Sequence, residues 1–236
     1  MTLLTICSSA ANELGAFTAP SSVIGNTDLT AQQLLALSNK VGAALVREYD
    51  WQVLKTDYTF STVASQEAYT LPSDYKRMSD ITIWDRTDRW PLLGPATDVE
   101  WQTLKGRLNP GGSRFWYRVV NNQLLLFPLP PDVYTIAFTY FSKSWVLKAS
   151  DGVTRTTAWT ADSDTSILDE DLITRGVVYE FRAAKGLPSA AALDDYQDAI
   201  SKLRAGDTPR GVVDFGGNSY RRNRWPLLPD GNFGTF

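Results

Sequence analysis

The carboxyl-terminal segment 206–236 constrains the fold most, because it is rich in large apolar side chains but has no helical or strand period. Its 31 residues include six Gly and three Pro, which interrupt any regular element. Its large apolar residues are Val212, Val213, Phe215, Tyr220, Trp225, Leu227, Leu228, Phe233 and Phe236. Ordering such a segment alone costs more free energy than burial of these side chains returns. We therefore predict an extended arm that is buried by a partner chain.

Two other interpretations of this arm stay open. It could wrap back over its own domain, or it could be a frayed end, although frayed ends are usually polar. Arginines that alternate with aromatic residues can also stack on nucleic-acid bases. In an acidic chain, however, arginine beside Trp225 is more typical of a protein contact. The predicted partner-binding residues are Phe215, Tyr220, Arg221, Arg222, Arg224, Trp225, Phe233 and Phe236.

Composition sets the broad class. The chain has 236 residues, and 43% of them are hydrophobic, which is enough for one mixed domain or two small ones. The net charge of -3 disfavours a protein whose main task is to clamp nucleic acid. No apolar run approaches the length of a membrane helix, and the amino terminus lacks signal-peptide features. We expect a protein that is made in the cytoplasm and contacts no membrane.

Helical periodicity is found towards both ends of the chain. The predicted long helices span 3–14, about 29–49, 170–185 and 189–204. Cys7 falls on the apolar side of the first helix and is predicted to be a buried small side chain. Between Thr97 and Glu100, a capping-box pattern predicts a short helix with Val99, Trp101 and Leu104 on its apolar side.

A period of two dominates the middle of the chain, from Asp57 to Tyr140. Asn121 and Asn122 tolerate positive φ, so segment 114–128 is predicted to be a hairpin. The predicted fold class is α+β: a discontinuous helical bundle built from both chain ends, an inserted antiparallel β domain and an extended C-terminal tail. The predicted domains are residues 1–55 with 167–205, residues 56–166 and the arm 206–236.

Catalytic and metal-binding signatures are sparse. The sequence contains no histidine and one cysteine, which removes most catalytic triads and most zinc sites. Asp162 and Asp164 lie close together and could hold a divalent cation or take part in catalysis. The polar setting of these aspartates favours a solvated loop that caps a helix. We expect a protein that is not an enzyme and requires no cofactor or metal.

The chain has eight tryptophans, more than a core of this size usually needs. Some of them are therefore expected at contacts between subunits, where aromatic residues are enriched. Trp90 and Trp101 flank a proline-rich extended segment and are the candidates that we select.

Several short phrases occur in a characteristic order along the chain. They are GNTD at 25–28, YDW at 49–51, YTLPSDY at 69–75, WDR at 84–86, PL at 91–92, LFP at 126–128, DEDL at 169–172 and KGL at 185–187. In this order, and with the helix-sheet-helix plan, the chain resembles the head-to-tail adaptor proteins of tailed bacteriophages. That family includes tail tubular protein A of short-tailed phages.

The resemblance implies a structural protein of the virion at the head-tail junction. It implies a ring of about twelve identical subunits, a dodecamer, under the portal protein. Such a ring would extend the DNA channel and receive a tail nozzle or another tail protein, and a C-terminal extension would reach the portal. Genomic DNA would pass without specific binding, which suits an acidic chain.

A second interpretation belongs to another class of protein. The hairpin aromatics Phe115 to Tyr117 could form a stacking platform in a module that binds single-stranded nucleic acid or carbohydrate.

Overall fold

The structure is a computed structural model that describes residues 2–15, 17–79, 82–106 and 114–207. Within the described part, the contacts divide the chain into two compact units. The helical unit comprises residues 2–55 and 141–207, and the β unit comprises residues 56–140. Helices and antiparallel strand pairs together confirm the predicted α+β class.

The helices lie close to their predicted positions. They are α1 (Leu3–Leu14), α2 (Leu29–Glu48), α3 (Asp98–Gly106), α4 (Glu170–Ala184) and α5 (Ala190–Asp207). Asp28 caps α2 by accepting the N–H of Thr30, and Asp169 caps α4 by accepting the N–H of Leu172. Gly15 ends α1 in the left-handed conformation at φ 62°, which glycine adopts without strain.

The strands are short. They are β1 (Lys55–Ser61), β2 (Ala68–Thr70), β3 (Tyr75–Met78), β4 (Trp84–Asp85), β5 (Trp90–Pro91), β6 (Trp116–Val120), β7 (Gln123–Phe127), β8 (Thr135–Ser142), β9 (Val146–Leu147), β10 (Arg155–Thr156) and β11 (Thr165–Ser166). One sheet has the order β1-β8-β4-β5 with β3 also paired to β8, a second has β2-β7-β6, and a third has β10-β9-β11.

The core of the helical unit forms where the apolar stripes of α1, α2 and α4 meet. The predicted stripe of α2 is buried and comprises Leu34, Leu37, Val41 and Leu45. Gly42 belongs to the same face, and the ring of Trp145 occupies the space beside it. The last helix contributes less, since Ile200 is the buried residue of α5. α5 is therefore a surface helix.

Segment 141–166 packs with the helices, whereas it was predicted to belong to the β domain. Trp145, Val146, Trp159 and Leu168 all belong to the helical core. The rings of Trp145 and Trp159 meet edge to face with centroids 5.1 Å apart. The boundary between the helical unit and the β unit thus lies near residue 141. The two indoles after it are buried in the helical core rather than in the large sheet.

In the β unit, the predicted hairpin is present as β6 and β7, and Asn121 and Asn122 have positive φ at its turn. Its core is largely aromatic and includes Tyr69, Phe115, Tyr117, Phe138 and Tyr140. Phe115 meets Tyr134, and Phe138 meets Tyr140, edge to face, an arrangement that aromatic rings favour.

The capping box before α3 is confirmed. The Glu100 carboxylate accepts the N–H of Thr97 at 2.8 Å, and the Thr97 hydroxyl accepts the N–H of Glu100 at 3.3 Å. Trp101 and Leu104 are buried as predicted, but Val99 is 76% exposed. The prediction for Val99 was wrong because two residues suffice to cover the buried side of a nine-residue helix.

Asp85 is a buried carboxylate in the WDR phrase, and it holds a turn. It is 2% exposed and accepts the N–H groups of Thr87 at 2.8 Å and Asp88 at 3.4 Å. Burial raises the pKa of Asp85 although these two hydrogen bonds act in the opposite direction. The WDR phrase therefore has a structural role in this unit.

Candidate functional site

The loop that contains Asp162 and Asp164 caps the first helix. The N–H of Leu3 donates to the carbonyl of Asp164 at 3.0 Å, and the N–H of Leu4 donates to the carbonyl of Asp162 at 3.2 Å. These N–H groups have no partner within a helix, so the loop satisfies them. The loop does cap a helix, as predicted, but through its main chain.

The side chain of Asp164 is the centre of this loop. It is 1% exposed and accepts the N–H groups of Ala149, Thr160 and Ala161 and the hydroxyl of Thr160, at 2.7 to 3.1 Å. Burial acts to raise the pKa of Asp164, but the hydrogen bonds from Thr160, Ala149 and Ala161 outweigh it and lower the pKa. The expectation of a solvated loop is therefore wrong for this residue.

The carboxylate of Asp162 holds a different segment. It accepts the N–H groups of Val23 at 3.1 Å and Ile24 at 2.7 Å. The oxygens of both aspartates thus serve main-chain donors of their own unit. This arrangement is that of a structural clamp between the loop, α1 and the segment before α2.

Cys7 is fully buried beside this loop, as predicted. Burial, and then the charge of Asp162, raise the pKa of the Cys7 thiol to about 12. The thiolate is therefore scarce at neutral pH, and the residue behaves as a small apolar side chain.

The predicted partner-binding residues of the arm lie outside the described residues. They are Phe215, Tyr220, Arg221, Arg222, Arg224, Trp225, Phe233 and Phe236. The structure modifies the start of the arm, since Gly206 and Asp207 are the last residues of α5. The Asp207 carboxylate accepts the N–H of Gln52 at 2.9 Å and so ties the end of α5 to the segment after α2.

The two candidate subunit contacts have different surroundings. Trp101 is 3% exposed, and its ring packs edge-on against Phe127. It is a buried residue of its own β unit and offers little surface to a neighbouring subunit. Trp90 is half-buried, and the guanidinium carbon of Arg114 lies 4.3 Å from its ring centroid. The subunit-contact role stays a prediction, and Trp90 is the better candidate of the two.

A pocket of about 560 Å³ opens beside the end of α5. Its apolar lining comes from three separate segments of the helical unit: Trp51 and Val53, then Leu168 and Leu172, then Leu203. Asp207, the last described residue, lies at its edge. The sequence alone does not predict this pocket, because its lining comes from three segments that are far apart along the chain.

An acidic groove of about 270 Å³ adjoins the pocket and shares Asp169, Lys202 and Leu203 with it. Its exposed carboxylates belong to Asp169, Asp171, Asp195 and Asp198, and its cations are Arg175 and Lys202. Asp169 caps α4, and Asp171 pairs with Arg175 at 2.8 Å. The carboxylates outnumber the cations, so the groove is an attractive site for positive charge.

A third exposed surface lies on the β unit. Val63, Leu129 and Val133 are 55%, 46% and 65% exposed on two neighbouring loops. Main-chain hydrogen bonds hold these loops together, from Ser65 to Pro130 at 2.8 Å and from Thr62 to Tyr134 at 2.8 Å. Three exposed aliphatic residues on adjoining loops form a small apolar patch that suits a protein contact.

Within the described ranges, Cys, Asp and Glu side chains form no group of three or more that could hold a metal ion. The same ranges contain no helix with the length and apolar character needed to cross a bilayer.

The fold and these surfaces define an α+β protein whose described features are contact surfaces and structural clamps. The sequence profile of the family described as SU10 adaptor protein matches residues 1–215. The chain belongs to this family of bacteriophage adaptors, and its role is that of a structural phage adaptor. The family implies association with head and tail components of the virion, in agreement with the resemblance. No curated protein matches the chain.

Proposed function

We propose that this adaptor forms a ring of identical subunits, about twelve, beneath the portal protein of a filled capsid. The ring extends the DNA channel and connects the capsid to a tail nozzle or another tail protein. The observation that carries the proposal is the family match over residues 1–215, which covers both units.

Charge supports a passage role over a gripping role. The net charge of the chain is -3, whereas proteins that hold nucleic acid through its phosphates need a basic excess. A channel through which DNA slides during ejection works better with weakly repelling walls. Genomic DNA accordingly passes the ring without specific binding.

The alternative function, a single-stranded nucleic-acid or carbohydrate module, loses its main support. Its stacking platform was to be the hairpin from Phe115 to Tyr117. Phe115 and Tyr117 are buried in the core of the β unit, so neighbouring side chains cover their faces, and Trp116 between them is half-buried. The hairpin therefore does not present a row of three exposed rings for stacking.

In the proposed assembly, the arm binds the portal. Removal of residues 208–236 is expected to leave a folded body with a cooperative melt that no longer co-sediments with portal rings. The cut is placed after Asp207 because that residue holds Gln52. Since many arms on one ring bind as a multivalent unit, their loss lowers avidity by a factor of at least about 100.

Two double variants sharpen this test. Replacing Arg224 and Trp225 by Ala removes a charged contact beside an aromatic anchor, so portal binding falls. The matched control replaces two exposed residues of α2, Leu29 and Arg47, by Ala. Undiminished binding of the truncated chain, or its failure to fold, would show that the arm is structural cover and that the docking surface lies elsewhere.

Trp90 tests the ring contact by a separate route. In the isolated subunit, Trp90→Ala is expected to lower the melting temperature less than Trp101→Ala, because Trp101 is buried in its own unit. In the ring, Trp90→Ala lowers the fraction of assembled subunits in analytical ultracentrifugation. Equal losses of melting temperature, with assembly unchanged, would place Trp90 in the core and remove it from the interface.

A further inference from the structure

The pocket beside the end of α5 opens at the point where the described chain ends. Trp51, Leu168, Leu172 and Leu203 give it apolar walls, and Asp207 lies at its edge. Its volume of about 560 Å³ is sufficient for two or three aliphatic or aromatic side chains. Trp51, Leu168 and Leu172 are themselves buried, so the apolar surface that meets water belongs to Val53 and Leu203, and an occupant that covers it is favoured.

The sequence after Asp207 suits a reversal of the chain. Segment 208–211 reads Thr-Pro-Arg-Gly, with proline at the second and glycine at the fourth position of a four-residue turn. Pro209 also cannot continue α5, because it lacks the N–H that a helix requires. A turn at this place would allow the next residues to return towards the pocket.

Apolar side chains follow this turn immediately. Val212, Val213 and Phe215 come five to eight residues after Asp207. Eight extended residues span at most about 26 to 29 Å, so all three side chains are within reach of a pocket whose edge is Asp207 itself.

The charges of Arg210 and of the acidic groove also favour a path of the chain back towards the pocket. Arg210 comes three residues after Asp207 and therefore lies within about 10 Å of it. The acidic groove that adjoins the pocket presents Asp195 and Asp198, with carboxylates in excess over cations. An arginine placed there has an electrostatic partner when the apolar residues enter the pocket.

The family match extends through Phe215, eight residues beyond the end of α5. It therefore divides the arm into a proximal segment, 208–215, and a distal segment, 216–236. The distal segment carries Tyr220, the Arg221 to Arg224 cluster and Trp225. Anchoring and partner binding can thus be assigned to different parts of the arm.

We propose that the proximal segment of the arm folds back on its own subunit. Val212, Val213 and Phe215 occupy the pocket, and Arg210 lies against the acidic groove. This anchor fixes the point from which the distal segment departs towards a partner. The inference goes beyond portal docking and does not depend on it, because it concerns the isolated subunit.

The subunit's own segment is favoured over the same segment of a second copy by its short tether. A linker of a few residues gives a millimolar effective concentration at the pocket. A second copy reaches a comparable concentration only after a ring has formed. The anchor is therefore present before assembly.

Limited trypsin digestion of the full, unmodified chain tests the anchor. Bonds after Arg221, Arg222 and Arg224 are expected to be cut at least ten times faster than the bond after Arg210, as followed by intact mass. Equal rates at Arg210 and in the distal cluster would overturn the proposal, since an anchored segment resists a protease that needs extended chain.

Two matched variants assign the protection to the pocket. Val213→Asp places a charge at an apolar position of the proximal segment, and Arg210 is then expected to be cut at the rate of the distal sites. Leu228→Asp makes the same kind of change in the distal segment and leaves the protection of Arg210 intact. Protection that survives Val213→Asp would contradict occupancy of the pocket.

Disulfide trapping then locates the segment and its origin. Val53 lines the pocket and is 50% exposed, so Val53→Cys combined with Phe215→Cys is expected to form an intramolecular disulfide under mild oxidation. The control combines Phe215→Cys with Leu29→Cys, since Leu29 is exposed at the opposite end of α2, roughly 30 Å away. The native Cys7 thiol is buried and does not interfere.

The crosslinked products, separated by non-reducing gel electrophoresis, distinguish the possible results. A faster-migrating monomer from the Val53 pair, with no such product from the Leu29 pair, supports the proposal. A disulfide-linked dimer from the Val53 pair would show that the pocket takes the arm of a second copy and would overturn it. Absence of any crosslink, or equal crosslinking of both pairs, would also overturn it. Portal co-sedimentation is measured separately, so failure of the anchor and failure of the proposed function give different results.

Discussion

The helical unit uses carboxylates in two opposite ways. In the loop before α4, Asp164 is buried and its oxygens accept four donors from neighbouring residues. At the groove between α4 and α5, Asp195 and Asp198 are exposed on the surface of a helix with little buried area. We call these the closed region and the open region.

The difference between the two regions shows that some acidic residues of this adaptor stabilise the fold, whereas others are available for contacts. A carboxylate whose oxygens are satisfied within its own unit has no capacity left for a ligand, so the closed region stabilises the fold. Exposed carboxylates beside an apolar pocket retain their capacity, so the open region is suited to a cationic and apolar segment.

The largest expected effect is that of Asp164→Ala. The substitution leaves three partly buried N–H groups and a hydroxyl without their acceptor, and we expect a loss of about 2 to 4 kcal/mol in the free energy of unfolding. Asp195→Ala in the open region is the control and should change it by no more than about 0.5 kcal/mol. Urea denaturation measures both, and similar values for the two would abolish the distinction between the regions.

The contribution of Asp164 to the free energy of unfolding depends on pH. The folded pKa of Asp164 is lowered, so at acid pH the unfolded chain binds the proton more readily than the folded chain. Its contribution is complete above the unfolded value of about 3.9 and is lost as pH falls through the folded pKa. The difference in unfolding free energy between the natural chain and Asp164→Asn should therefore shrink below about pH 4. A difference that stays constant or grows there would contradict the assignment.

A smaller effect comes from one substitution made at two glycines of the helical unit, Gly42 in its core and Gly206 beside the pocket. A Cβ at Gly42 would lie 2.1 Å from a ring atom of the buried Trp145, so Gly42→Ala is expected to destabilise by about 1 to 3 kcal/mol. At Gly206 nothing lies within 4 Å of an added Cβ, and Gly206→Ala should stabilise α5 by up to about 1 kcal/mol. Thermal melts compare the two. Losses of similar size would mean that the end of α5 is as tightly packed as the core beside Trp145.

Much of the fold was predictable from local chemistry. The apolar stripe at Leu34, Leu37, Val41 and Leu45 identified α2 and its buried face. Asn121 and Asn122 identified the hairpin turn, and Thr97 with Glu100 identified the start of α3. Each of these signals lies within a few residues of sequence, where periodicity and capping have a direct physical cause.

Features that depend on distant residues were less predictable. Trp145 and Trp159 continue a strand-rich region, and nothing local indicates that their rings join the helical core. The pocket combines residues near 51, 168 and 203, so it exists only after folding. The acidic groove could have been predicted from the sequence, because Asp194, Asp195 and Asp198 cluster on one helix that has little apolar character. The arm residues lie outside the described part, and their role stays a prediction.

The measurement that tests the account most directly is the mass of the complex that the full chain forms with purified portal rings, by native mass spectrometry. The account predicts one portal ring carrying a fixed set of adaptor chains, about twelve, with no partly filled species at saturation. It also predicts that the chain lacking residues 208–236 leaves the portal mass unchanged. A portal ring that carries no adaptor chains at saturating concentration, or a variable number of them, would contradict the proposed head-to-tail role.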